Sequence, residues 1–197
     1  MSAQKTKNHI LPPLQNRILL YLAKQGPQTI NETVNGIRSS DYKSQYKSSW
    51  IAFHSLEKKK VIQKTHTKTH QGREYPRFWL SNAGVFIALV EGASSQHLLA
   101  KSLQTYPNDK ALQCCLELAP FTGIDAYRVA LSAILSKGKL EPSDAATMMF
   151  TLANKDLSNT QFKQFRQILK RYPQQYEKLK KQIKQLTEFL NKMEKMI

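Results

Sequence analysis

Between Tyr46 and Leu56, apolar residues recur at Tyr46, Trp50, Ile51, Phe53 and Leu56. Steps of three and four put such residues on one buried stripe of a helix. The opposite face, Lys43, Ser44, Gln45, Lys47, Ser48 and Ser49, holds no acid. After Lys58-Lys59-Lys60 the period changes. Val61 to Thr67 is rich in β-branched residues and reads as a strand. Lys68 to Arg73 is a polar turn with Gly72, and Glu74 to Leu80 is a second strand built around Tyr75, Phe78 and Leu80. Upstream, Pro12-Pro13 open a helix through Lys24, whose buried side is Leu14, Ile18, Leu19, Tyr21 and Leu22. Gln25-Gly26-Pro27 stops it. Asn31 is the expected N-cap of a short helix from Glu32 to Arg38, and Ser39-Ser40-Asp41 is the turn that follows.

Downstream, Ser81 caps an apolar helix from Asn82 to about Glu91, and Gly92 to Ser95 is a short hinge. Four further helices are expected over Ser95–Tyr106, Asp109–Leu118, Asp125–Ser136 and Pro142–Ala153, punctuated by Pro107, Pro120, Gly123, Gly138 and Pro142. From Phe162 the apolar positions alternate three and four apart to Ile197, a heptad register held for five repeats. A mid-helix proline costs about 3 kcal/mol, so Pro173 should break this stretch and start a fresh helix. The chain therefore divides on paper into residues 1–92, 93–160 and 161–197: mainly α, with one small β-hairpin.

Helix, strand, basic turn and strand are the parts with which a winged helix meets a duplex. SLEKKKVIQK followed by GREYPRFWLSNAG resembles the winged helix-turn-helix regulators of the PadR and MarR type, over about Leu14 to Gly92. The resemblance implies an N-terminal DNA-binding domain in a regulator that reads pseudo-palindromes as a dimer, since two-fold symmetry spaces two recognition helices about 34–36 Å apart. Lys60 departs from the pattern. It stands where the family has glycine, at a position that takes φ > 0 after the helix end.

Charge strengthens this picture. The formal net charge is +16, which favours a polyanionic partner, nucleic acid before anionic membrane. Residues 1–80 hold 14 Lys and Arg against 4 acids, residues 81–160 hold 6 against 7, and residues 161–197 hold 10 against 3. Both ends are basic and the middle is neutral. The two cysteines, Cys114 and Cys115, are adjacent in an apolar helical run. That setting fits buried reduced thiols better than a disulfide. MSAQKTKNH lacks a signal-peptide core, and the longest apolar run, Ala83 to Val90, is too short to span a bilayer. A soluble, cytoplasmic protein with no membrane partner is expected.

The candidate DNA contacts are Lys43, Ser44, Gln45, Tyr46, Lys47, Ser48 and Ser49 on the helix, with Lys68, His70, Arg73 and Arg77 on the hairpin. Lysines and short hydroxyls suit phosphate, and Gln45 suits an adenine edge. Tyr46 is equally readable as core, and the KKK run as a solvated face. The candidate dimerisation residues are Tyr176, Leu179, Ile183, Leu186, Leu190 and Met193; packing within the chain is their alternative. His66 and His70 sit four apart, but no cysteine or acid cluster joins them, so no metal is expected. No phosphate loop, dinucleotide fingerprint, nucleophile elbow or CxxC occurs. No enzyme activity and no cofactor are expected, and nothing in the sequence identifies a small-molecule effector. A sequence-specific, duplex-binding homodimeric regulator is the first reading. Its rivals are an architectural or RNA-binding basic protein, and a winged-helix adaptor that recruits a protein.

Overall fold

A computed structural model of the chain describes residues 10–37, 42–137 and 158–194. Among the described residues the chain is mainly helical with one antiparallel hairpin, and it divides into two compact units, Met1–His97 and Leu98–Ile197. The expected turn at Ser39-Ser40-Asp41 and the expected helix at Pro142–Ala153 lie outside the described residues.

In the first unit, α1 (Pro13–Gln25) starts on its proline and ends at Gly26, whose φ of 87° suits glycine. It buries Ile18, Leu19, Leu22 and Ala23. The next helix, α2, is Ile30–Gly36, and its cap corrects the expectation of Asn31. Thr29 is the N-cap: its hydroxyl accepts from the Glu32 N–H, while the Glu32 carboxylate accepts from the Thr29 N–H. Thr-x-x-Glu satisfies two donors at once, which asparagine two residues later would not do. The helix α3 spans Tyr42–Lys58. Lys60 takes φ 55° after it, so the chain makes the left-handed exit that glycine would favour, with a lysine.

Two strands follow, β1 (Ile62–His70) and β2 (Arg73–Leu80), paired from Ile62↔Leu80 to His70↔Arg73 with one irregularity between Lys64 and His66. The turn is only Gln71-Gly72, at φ 49° and 73°, the two-residue geometry that matches strand twist. Only the base of this hairpin is buried, at Ile62, Phe78, Trp79 and Leu80. Gln28 adds a single bridge to Phe78 through reciprocal backbone bonds of 3.1 and 2.8 Å.

Trp79, fully buried, donates from Nε1 to the Leu22 carbonyl at 3.0 Å. The apolar α4 (Asn82–Val90) is capped by Ser81, which accepts from the Gly84 N–H. A Cβ at Gly84 would lie 2.0 Å from the Val61 carbonyl oxygen. That glycine is required by close approach, not by a turn.

The second unit follows from α5 (Ser95–Thr105). The two helices expected over 109–136 are both present within α6 (Lys110–Lys137), which is broken in two at Gly123, where φ 75° and ψ 171° are not helical. A glycine takes that conformation without a Cβ penalty, so one helix ends there and the next begins. Then come α7 (Asn159–Arg171), with a Ser158–Gln161 capping box, and α8 (Pro173–Glu194). Pro173 does start a fresh helix. Ile168, Leu169 and Tyr172 pack on Cys114 of α6, with Leu118, Phe121, Phe165 and Tyr176 around them. Tyr172 donates its hydroxyl to Glu117 at 2.7 Å, and Arg171 pairs with the same carboxylate. No helix among the described residues is long and apolar enough to cross a membrane.

Candidate nucleic-acid interface

The phase of α3 decides what this helix can present. Its buried stripe is Ser49, Ala52, Phe53 and Leu56, not the large aromatics at its start. Two expectations are thereby corrected. Ser49, expected to face outward, is 1% exposed, while Trp50 and Ile51, expected inside, are 47% and 55% exposed; Tyr46, readable either as contact or as core, is 36% exposed. Small residues at positions 49 and 52 bring the helix close to the core, and the bulky side chains then fall outside. Lys47 and Ser48 share the outer surface with them. Lys43, Ser44 and Gln45 belong to the first turns of α3, where the structure describes the backbone alone.

At 100° per residue, Tyr46, Trp50, His54 and Lys58 form one row, and Lys47 and Ile51 lie beside it. Trp50 packs edge-on against His54, with ring centroids 4.1 Å apart. The single acid of α3, Glu57, sits in its last turns, 3.3 Å from His54 Nδ1 and 3.9 Å from Lys64. It is engaged, and the face before it carries only cations, hydroxyls and apolar groups.

The hairpin beside it is exposed along Gln63 to Glu74 apart from Thr65. His70 and Arg73 flank the turn and are exposed, as is His66. Lys68 and Arg77 are held from within. Glu32 of α2 accepts from Lys68 at 2.8 Å and from Arg77 at 3.0 Å. Burial of the Glu32 carboxylate pushes its pKa up. The bonds from Lys68, the Thr29 N–H and Arg77 overcome this and hold it at about 2. A shallow cavity of about 270 Å³ lies here, lined by Thr29, Asn31, Glu32, Lys68, His70 and Tyr75. Nothing local in the sequence signals this pairing, because the partners are 36 and 45 residues apart.

On α8, Tyr176 is half-buried against the α6–α7 cluster and takes Lys180 Nζ 4.4 Å over its ring. It is used inside the chain. Ile183 is exposed at 39%. Leu179, Leu186, Leu190 and Met193 lie in the helix, their side chains outside the described residues. Burial raises both cysteine thiols, Cys114 to about 12 and Cys115 to about 11, which keeps them from acting as thiolates near neutral pH. Among the described residues, no three His, Cys, Asp or Glu side chains gather to hold a metal.

The sequence motif behind the family resemblance has local structural work. Ser81 Oγ donates to the Lys60 and Val61 carbonyls and accepts from Gly84 N–H, tying α4 to the corner between α3 and β1. Comparison of the chain with protein-family models, curated proteins and solved structures gives no match.

Proposed function

We propose that the chain is a non-enzymatic cytoplasmic transcription regulator that binds specific sequences of double-stranded DNA as a homodimer. In this reading residues 1–92 are a winged helix-turn-helix of the PadR/MarR type, α3 is its recognition helix and the hairpin its wing. The observation that carries the reading is the outer face of α3, which offers Lys47, Ser48 and Lys58 and no unengaged acid, beside a solvent-standing hairpin with Arg73 and His70 near its tip. The order of α1, α2, α3, hairpin and α4, with Gln28 bridged to Phe78, supports it.

Cations on helix and hairpin replace the counterions condensed on phosphate, so affinity should fall steeply with salt, by about 0.9 in log K per log salt for each phosphate neutralised. The heptad pattern of α8, with Ile183 exposed, supports pairing of protomers. Mobility-shift titrations on duplex DNA at two salt concentrations test the proposal; absent or salt-insensitive binding refutes it. The exposed lysines of α8, Lys180, Lys181 and Lys184, favour a second reading, an architectural or RNA-binding protein with a second basic surface. Genome-wide footprints separate the two: discrete palindromic sites for the first, broad coverage for the second.

A further inference from the structure

Water is a poor neighbour for an indole and a sec-butyl group, yet Trp50 and Ile51 stand in it on the face that also bears Lys47. Scattered apolar residues on a surface need no explanation. Here three of them, Tyr46, Trp50 and Ile51, fall on consecutive turns of one helix, within a positive surround. The first unit has apolar residues enough to fill its own core, with Phe53, Leu56, Trp79 and Leu80 all at 1% exposure or less. The three exposed side chains are therefore surplus to folding.

We infer that this apolar row reads thymine, its occupant being the 5-methyl groups that line the major groove of a thymine-containing duplex. The inference rests on the proposed DNA-binding reading and deepens it, from phosphate contact to base recognition. Charge complementarity selects a duplex over an apolar protein partner. Lys47 and Lys58 flank the row, Lys59 and Lys60 follow it, and the only acid on the helix is already paired with His54 and Lys64. Cations of this kind reach the phosphates on either side of a groove, and apolar side chains between them meet what is apolar in the groove floor. In B-DNA that is the thymine methyl. The polar edges of the other bases offer the Ile51 side chain and the indole ring face no comparable apolar contact.

The test begins with selection of a preferred duplex from a random library by the full-length protein, then resynthesis of that duplex with uracil for thymine. Uracil deletes the methyl and leaves base pairing, the minor-groove edge and every phosphate in place. Burying one methyl is worth about 0.8 kcal/mol, so each methyl that is read should cost about fourfold in affinity when deleted. The double variant Trp50→Ala with Ile51→Ala should bind the thymine and uracil duplexes equally while keeping the wild-type dependence on salt. Both positions are exposed, and circular dichroism should show unchanged folding. Equal wild-type affinity for the two duplexes overturns the inference and leaves the DNA-binding reading standing. So does a wild-type preference for thymine that survives both substitutions. If no duplex is enriched, the sequence-specific reading itself falls and this inference with it.

Discussion

Each of the two units has an apolar core of its own, and they differ in where directional polar bonds act. In the first, polar groups fix backbone positions: Trp79 on the Leu22 carbonyl, Ser81 on the Lys60–Val61 corner, Thr29 and Glu32 capping each other, and Gly84 against Val61. Each of these has one acceptable geometry. In the second, one described cluster is apolar contact between α6 and α7, Ile168, Leu169 and Tyr172 on Cys114, with a polar clasp at Glu117. The buried Gln113 also donates to the Tyr106 and Pro107 carbonyls. Directional bonds define positions to a fraction of an ångström, whereas apolar contact tolerates repacking.

The sharpest way to break this contrast is to reverse charge on the first unit without touching its frame. Lys47→Glu with Arg73→Glu should abolish duplex binding, a loss of at least about a hundredfold. Circular dichroism and thermal melting should be unchanged; retained affinity would move the interface elsewhere. Gly84→Ala attacks the frame itself. The added methyl has only the Val61 backbone to displace, and overpacking of that kind should cost roughly 3 kcal/mol in denaturant titrations. A cost near zero would mean that the α4 corner is soft.

In the second unit, Tyr172→Phe removes a donor to a charged acceptor and should cost roughly 1–2 kcal/mol. Burial of the Tyr172 hydroxyl raises its pKa, and the bond to Glu117 raises it further, so the phenol stays protonated through the working range and the clasp does not titrate with it.

Glu32→Gln should destabilise by about 1 kcal/mol, because the carboxylate is part-exposed and its pairs are screened. Its pH signature is more specific. The folded pKa of Glu32 is lowered from the ordinary 4.5 to about 2, so its contribution is complete above pH 4.5 and disappears as pH falls toward 2. Acid titration of the wild type should therefore show a loss of stability in that window that the glutamine variant lacks. Under the proposed function the same variant also releases Lys68 and Arg77 toward phosphate, and duplex affinity should rise. Smallest of all, Lys60→Gly relieves a left-handed lysine and should stabilise by roughly 0.5 kcal/mol.

Element order was legible because it rests on local rules. Pro13 and Gly26 bound α1, Ser81 and Pro173 open helices, and β-branched residues mark β1. The helix phase of α3 was not, since counting apolar residues gives the aromatics more weight than Ser49 and Ala52. Yet small residues allow close helix packing, and they set which side faces the core. Thr29 and Glu32 carried a readable capping signature, and Asn31 drew attention from it by being a good cap in general. The hold of Glu32 on Lys68 and Arg77 depends on tertiary folding alone. The break of α6 at Gly123, by contrast, was legible from Pro120 and Gly123 themselves.

The chain's two tryptophans sit in opposite surroundings, one sealed against the Leu22 carbonyl and the other in water beside a histidine ring. Their fluorescence should separate accordingly. Trp79 emits toward the blue and shifts red only when the fold is lost, while Trp50 already emits toward the red and is open to quenching by iodide or by anything that covers α3. A single native sample thus carries an internal thermometer for the fold and an independent reporter on the outer face of α3, with no label added.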